Sequence, residues 1–171
     1  RAERQGGLEP DRRLAQVPGV TSVGLSSSIT MDGEDNGNPI DVEGAPVPEG
    51  ARTPLRRFKS FGPGYFETMG NRLVAGRSVT WSEIHERRPV IVISEVLARE
   101  YWTEPWQAIG KRVRATQTDA PWREIVGVTG AERDDGLNQP PTAIVYWPIL
   151  NESYRWRTMA LVVRSTRVGT P

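Results

Sequence analysis

The chain has 171 residues, with 22 basic and 21 acidic side chains, a single histidine and no cysteine. Charges that nearly cancel, with no basic stripe in their place, remove the electrostatic footprint of a nucleic-acid binder. The missing thiols exclude disulfides, cysteine-ligated zinc and thiolate chemistry, and leave both a cytosol and a bacterial periplasm open. Seventeen glycines, 14 prolines and six tryptophans suit a loop-rich α+β fold, in one domain or two small lobes. The best apolar run, Pro89 to Ser94, falls far short of the roughly 18 residues needed to cross a bilayer. A start at Arg1 and a stop soon after the apolar run Met159 to Val163 read as a piece of a longer protein.

In chain order, Asp11 to Val17 offers a short helix ended by Pro18-Gly19, and Val20 to Ser28 reads as a strand. Thr30 to Arg52 is a long polar loop with a short strand at Ile40 to Val42. Leu55 to Ser60 is a strand of imperfect alternation. Pro63 to Gly70 places proline near the first turn of a helix and glycine just past its end. Leu73 to Ala75 is a strand closed by Gly76-Arg77, and the charged stretch Glu83 to Arg88 reads as an exposed turn.

Val90 to Ile93 is continuous, β-branched and apolar, the mark of a strand buried on both faces. Ser94 is placed to cap the helix Glu95 to Trp102, in which Leu97 and Tyr101 share a face. Lys111 to Thr116, Trp122 to Val128, Ala143 to Trp147 and Met159 to Arg164 complete the strands.

Several motifs suggest chemistry, each with a plainer reading beside it. Asp32, Glu34, Asn36 and Glu43, with Gly37 at the turn, approximate a twelve-residue calcium loop. The long Glu34 side chain, Pro39 within the loop and flanks that are not helices favour an acidic, solvated loop instead. Ser26-Ser27-Ser28 with His85 lacks a nucleophile elbow. Gly62-Pro63-Gly64 has neither the Walker spacing nor the dinucleotide glycine series, so it reads as a turn. The sequence therefore gives no catalytic residue, no cofactor-binding residue and no firm metal site.

Arg56, Arg57, Lys59, Arg72 and Arg77 form a basic region, read as a solvated face, or as a dock for anionic lipid or for a neighbouring lobe. Tyr101, Trp102, Trp106, Trp122, Tyr146, Trp147, Tyr154 and Trp156 read as core aromatics, with Trp106 and Trp156 the exposed ones.

Seven phrases in register carry a resemblance: Val17-Pro18-Gly19-Val20, Gly64 to Gly70, Leu73 to Arg77, Val90 to Glu95 with Ala98 to Trp102, Ile109 to Val113, Glu124 to Val128, and Val145 to Pro148. Together they resemble the MacB-like periplasmic core domain of FtsX-like ABC transporter permeases, particularly the large orphan permeases of soil bacteria. Gly6-Gly7 and Pro10 depart from it, where a steadier helix is expected.

The resemblance implies a porter-like lobe of strand-helix-strand units, residues 1–77 plus 157–171, with a β-rich sabre-like lobe inserted over 78–156. Gly76, at the junction and tolerant of positive φ, is the hinge candidate, its plainer reading being the end of a strand. It also implies transmembrane helices of the parent permease on both sides, a cytoplasmic ABC ATPase that drives it, and a place on the periplasmic face of the bacterial inner membrane. A periplasmic adaptor or a second permease copy is the further partner. The expected function is non-catalytic relay of ATP-driven conformational change, for efflux or mechanotransmission. Two other classes compete: a periplasmic or secreted ligand-binding module, marked by a closed tryptophan-lined pocket, and a hydrolase, marked by a histidine within reach of a buried serine.

Overall fold

In this computed structural model, residues 12–116, 120–150 and 158–166 are described. The element order is α1 (Arg12–Ala15), β1 (Val20–Ser26), β2 (Gly37–Val42), β3 (Leu55–Phe61), α2 (Tyr65–Met69), β4 (Leu73–Gly76), α3 (Trp81–His85), β5 (Val90–Ser94), α4 (Glu95–Tyr101), a 3-10 turn (Pro105–Ala108), β6 (Arg112–Ala115), β7 (Arg123–Thr129), β8 (Ile144–Pro148) and β9 (Ala160–Ser165). All nine strands join one sheet, in the order β2-β6-β7-β5-β8-β3-β1-β9, with β4 beside β7. β2 also pairs with β3, so β2, β6, β7, β5, β8 and β3 form a closed circuit.

Alternation along these strands sorts side chains into two cores, because successive residues point to opposite faces. Ile91 and Ile93 of β5, Ile125 and Val128 of β7, Val145 and Trp147 of β8, Phe58 of β3, Ile40 and Val42 of β2, and Val113 and Ala115 of β6 form one core. All six strands of the circuit feed it, so it fills the interior. α4 adds Leu97 and Ala98, and the 3-10 turn adds Ala108. Val90, Val92, Val126, Ile144 and Tyr146 face outward, under α2 and α3, with Leu25, Phe61, Phe66 and Ile84. β5 is thus buried on both faces, as its apolar run predicts.

The short helices follow their caps. Gly70 ends α2 in the left-handed conformation, which glycine adopts without a Cβ clash. Ser94 Oγ accepts the amide of Leu97 at 3.3 Å, capping α4. Of the segment expected as a charged turn, Glu83 to His85 lies in α3 and Glu86-Arg87 form the turn. Thr80 Oγ1 accepts from Glu83 N while the Glu83 carboxylate takes Thr80 N, a complete capping box, and the turn follows at Arg87 with φ 53°.

β9 lies antiparallel to β1, with Val20 opposite Ser165 and Ser26 opposite Ala160. β1 meets β3 over a short overlap centred on Ser26 and Phe61, reinforced by the Ser27 amide on Ser60 O at 2.7 Å. Three pairings, β2–β6, β3–β8 and β4–β7, cross the boundary expected at 77/78. The other expected boundary, 156/157, lies outside the described residues.

Gly24 of β1 touches α2 so closely that an added Cβ would stand 2.5 Å from Tyr65 Cα. Gly24→Ala is expected to destabilise by about 1–3 kcal/mol through overpacking, read from the urea midpoint. Gly37→Ala, whose Cβ would find ordinary contacts from 3.6 Å outward, should be near neutral.

Glu83 also receives Arg77 Nη2 at 2.7 Å, and its pKa falls to about 2, owing first to that Arg77 hydrogen bond. A depressed acid adds stability above its unfolded pKa, and that stability is lost as pH falls through the folded one. The window here runs from 4.5 down to about 2. A carboxyl NMR titration should place the Glu83 midpoint near 2 and move it toward 4.5 in Arg77→Gln; an unmoved midpoint would show that the cap alone sets it.

Candidate functional site

The densest polar constellation is buried where β3 meets the loops after β1 and β7. β3 alternates, so Phe58 enters the interior core while Arg57 and Lys59 point to the outer face. Lys59 is fully buried. Its ammonium donates to Glu132 Oε1 at 2.7 Å and to Asp134 Oδ1 at 2.5 Å. Arg57 donates Nη1 to Asp134 Oδ2 and Nη2 to Asp135 Oδ1, both at 2.7 Å. A further Nη1 bond reaches Glu34 O, and Asp35 completes an ion pair at 3.2 Å.

Glu132 is the hub. Besides Lys59 it accepts Thr30 Oγ1 on Oε1 and Tyr146 Oη on Oε2. Burial pushes its carboxyl up, but the Lys59 charge and these hydrogen bonds outweigh that and hold it below the usual range. At Asp134 burial wins, and the carboxyl is raised despite Lys59 and Arg57. Burial and the Glu132 charge keep the Tyr146 phenol protonated well above its ordinary range, so it serves as a donor. The Met31 amide donates to Asp134 O at 3.1 Å, tying the β1–β2 loop to the β7–β8 loop. The arrangement is a latch: every strong donor meets an acceptor, and no activated nucleophile emerges from it.

For Arg57 and Lys59 this corrects the solvated and lipid-docking readings in favour of docking onto the acidic loop 132–135, whereas Arg72 and Arg77 are exposed. Arg57 and Lys59 are buried ion-pair partners, Arg56 binds Glu100, and Arg77 binds Glu83. β3 pairs with β8 in parallel register, Lys59 opposite Tyr146, which turns the cations toward the acidic loop 132–135. Sequence reasoning missed Glu132, Asp134 and Tyr146. The available signal was the alternation of Arg57 and Lys59 with Phe58, matched by the acidic cluster Glu132, Asp134 and Asp135.

The calcium-loop residues are not brought together. Asp32 accepts the amides of Ile29 and Glu34, Asn36 accepts Asn38 Nδ2, and Glu43 is engaged by Arg112. Gly37 to Val42 is extended as β2, which carries Glu43 roughly 20 Å along the chain from the turn at about 3.3 Å per residue. Among the described residues no group of three or more histidines, cysteines or acids is placed to hold a metal.

Gly76 sits in β4 opposite Gly127 with φ 65°. A Cβ there would lie 2.2 Å from Val126 O, so packing alone requires glycine. Ser26 Oγ donates to Ser60 O and Ser27 Oγ accepts Ser60 N, while the His85 ring packs near Trp81. The serines therefore serve the β1–β3 junction. Tyr146 and Trp147 are buried and Trp106 is 65% exposed, as expected; Trp122 lies under Arg114. Tyr154 and Trp156 lie outside the described residues.

Removing Lys59 would leave Glu132 buried without a cation and Asp134 with Arg57 alone. Lys59→Met is expected to cost about 3–5 kcal/mol, whereas Arg88→Ala, which breaks an exposed pair with Glu86, should cost under about 1 kcal/mol. Chemical denaturation checks both; equal losses would show that the latch is no stronger than a surface pair.

The comparisons with known proteins fit this architecture. The model of the MacB-like periplasmic core domain matches residues 3–168. Among solved structures, the chain is similar to the periplasmic region of MacB from Actinobacillus actinomycetemcomitans, with TM-score 0.61 and 17% identity over 93% of this chain and 64% of that one. It is also similar to a domain of a permease protein from Porphyromonas gingivalis, with TM-score 0.59, 20% identity and coverage of 97% and 70%. The extracellular domain of the noncanonic ABC-type transporter YknZ from Gram-positive bacteria gives TM-score 0.57, 17% identity and coverage of 91% and 71%. The chain thus spans under two thirds of the MacB periplasmic region. A comparison with curated proteins gives no match. The matched segment takes in nearly the whole chain, and the chain belongs to the MacB-like periplasmic core domain family.

Proposed function

We propose that this domain is a non-catalytic relay on the extracytoplasmic face of an ABC transporter permease, moved by flanking membrane helices that a cytoplasmic ATPase drives. The observation that carries the reading is the pairing of the first and last strands among the described residues. Val20 lies opposite Ser165, and the Thr166 amide donates to Gly19 O at 2.8 Å. Segments entering before β1 and leaving after β9 therefore start side by side, and a displacement of either reaches the same two-stranded arm. The arm hands it to the closed circuit through the β1–β3 junction and α2. The division into porter-like and sabre-like lobes with Gly76 between them belongs to the same proposal. It places motion at the β4–β7 pairing, where Arg77 N donates to Val126 O at 2.9 Å.

A relay needs stiff mechanical connection between membrane and domain. In the full-length permease with its ATPase, a spin label at Leu137→Cys, an exposed loop position, should change its distance to a label on the membrane segment between nucleotide-free and ATP-bound states. A flexible Gly/Ser insertion of about eight residues after Thr166 should abolish that change and leave the melting temperature of the 171-residue chain untouched. Distances indifferent to nucleotide would refute the relay.

A further inference from the structure

A short, closely bonded stretch of chain runs from the β1–β9 arm to the latch. β1 ends at Ser26, and the next residue is fixed twice to β3: the Ser27 amide donates to Ser60 O at 2.7 Å, and Ser27 Oγ accepts Ser60 N at 2.9 Å. Ser28 is buried and donates its amide to Ser26 Oγ at 3.4 Å. The turn that follows closes on Asp32, which accepts the Ile29 amide on Oδ2 at 2.7 Å and donates its own amide to Ile29 O at 3.3 Å. Within this turn Thr30 Oγ1 donates to Glu132 Oε1 and the Met31 amide donates to Asp134 O at 3.1 Å. Met31 has φ 64°, a left-handed conformation that is unfavourable for a residue with a Cβ. Its side chain is exposed, so the bonds to the acidic loop hold that conformation, not packing of the side chain.

We infer that residues 27–32 are a strap that couples the arm to the latch, so that a displaced arm draws Thr30 and Met31 off the acidic loop and frees residues 132–142. β3 is paired with β8 from Arg57 to Phe61, which leaves the strap, and not the strand, as the part free to move. The acidic loop is fastened to itself: the Thr142 amide donates to Glu132 O at 2.9 Å, and Thr142 Oγ1 donates to Asp135 Oδ2 at 3.0 Å. It therefore shifts as a unit once the strap lets go. Releasing the two strap bonds also lets Met31 return to an ordinary φ, so the latched and released states are discrete. The coupling works in both directions, since loosening either end lowers the cost of opening the other. This inference rests on the relay reading for its purpose, because it names the loop at which motion of the arm arrives.

Amide hydrogen exchange of the 171-residue chain, read residue by residue by NMR, tests the strap. Thr30→Val removes one strap bond. It is expected to speed exchange at the Met31 amide and also at the arm junction, at the Ser27 amide and at the Gly62 amide that donates to Leu25 O, by roughly fivefold. The Arg77 amide, bonded across the β4–β7 pairing to Val126 O, should not change. Ser27→Ala, made at the arm end, should speed exchange at the Met31 and Thr142 amides by a similar factor. Met31→Gly should act in the opposite sense and slow exchange at the Ser27 and Met31 amides, because glycine holds the left-handed φ without a Cβ clash. A response confined to the mutated end would overturn the strap. So would an equal change at Arg77, which means general loosening, or faster exchange at Ser27 in Met31→Gly. The measurement needs neither membrane nor nucleotide, so its failure would leave the relay standing on its own nucleotide-dependent distances.

Discussion

Lys59 sits at 0% side-chain exposure between two carboxylates, and much of the irregular backbone is arranged to make that tolerable. A buried ammonium carries a desolvation penalty of several kcal/mol, which one carboxylate repays only with good geometry. Here two carboxylates share it, and each is shared in turn: Glu132 with Thr30 and Tyr146, Asp134 with Arg57. Asp134 is raised and Glu132 lowered, so the pair around one cation is unequal, with Glu132 the more firmly ionised partner. The loop after β1 and the loop after β7 have little apolar surface of their own, yet Met31 N, Thr30 and Arg57 fix one against the other.

The latch lies beside the place where mechanical continuity is thinnest. The circuit of six strands has few loose joints, since each member is hydrogen-bonded on both sides. The β1–β9 arm meets that circuit over a short overlap with β3, and serine hydroxyls support it there: Ser26 Oγ on Ser60 O, Ser27 Oγ under Ser60 N. α2 braces the same junction through the close approach of Gly24 to Tyr65. Since Ser60 follows Lys59, the residues that hold the arm and those that hold the two loops are neighbours on one strand.

What the sequence shows and hides follows from where each signal is stored. β5 was legible because four consecutive β-branched residues cannot all find water, and α2 and α4 because their ends carry glycine and serine caps. α3 was obscured by its own charges. Thr80 and Glu83 form a capping box, but the run from Glu83 to Arg88 reads as solvated turn unless the box is sought first. The extent of β2 was hidden because Pro39 and the acidic residues before it look like loop, and its pairing with both β3 and β6 is a property of the closed circuit. Lys59 was misread because lysine belongs at the surface by default, and the carboxylates that permit its burial lie 73 and 75 residues away.

Gly76 shows how a local sequence feature changes meaning once its neighbours are known. In the sequence it follows a strand at the edge of an expected lobe, and its freedom suggests a hinge. In the fold, its left-handed φ and the Val126 carbonyl at 2.2 Å from a virtual Cβ account for glycine without any motion. Gly127 across the ladder is as constrained, with Arg77 O 2.0 Å from its own virtual Cβ. Two glycines facing each other let β4 and β7 approach more closely than any side chain would allow. A bulkier residue at 76 would therefore test packing before it tested movement, and a hinge there would have to open the β4–β7 pairing. The arm's overlap with β3 holds a single registered Cα pair, Ser26 with Phe61. Yet a rotation there would also break the Ser27 N–Ser60 O and Gly62 N–Leu25 O bonds and draw Leu25 out of the outer core, so the junction transmits displacement rather than absorbing it.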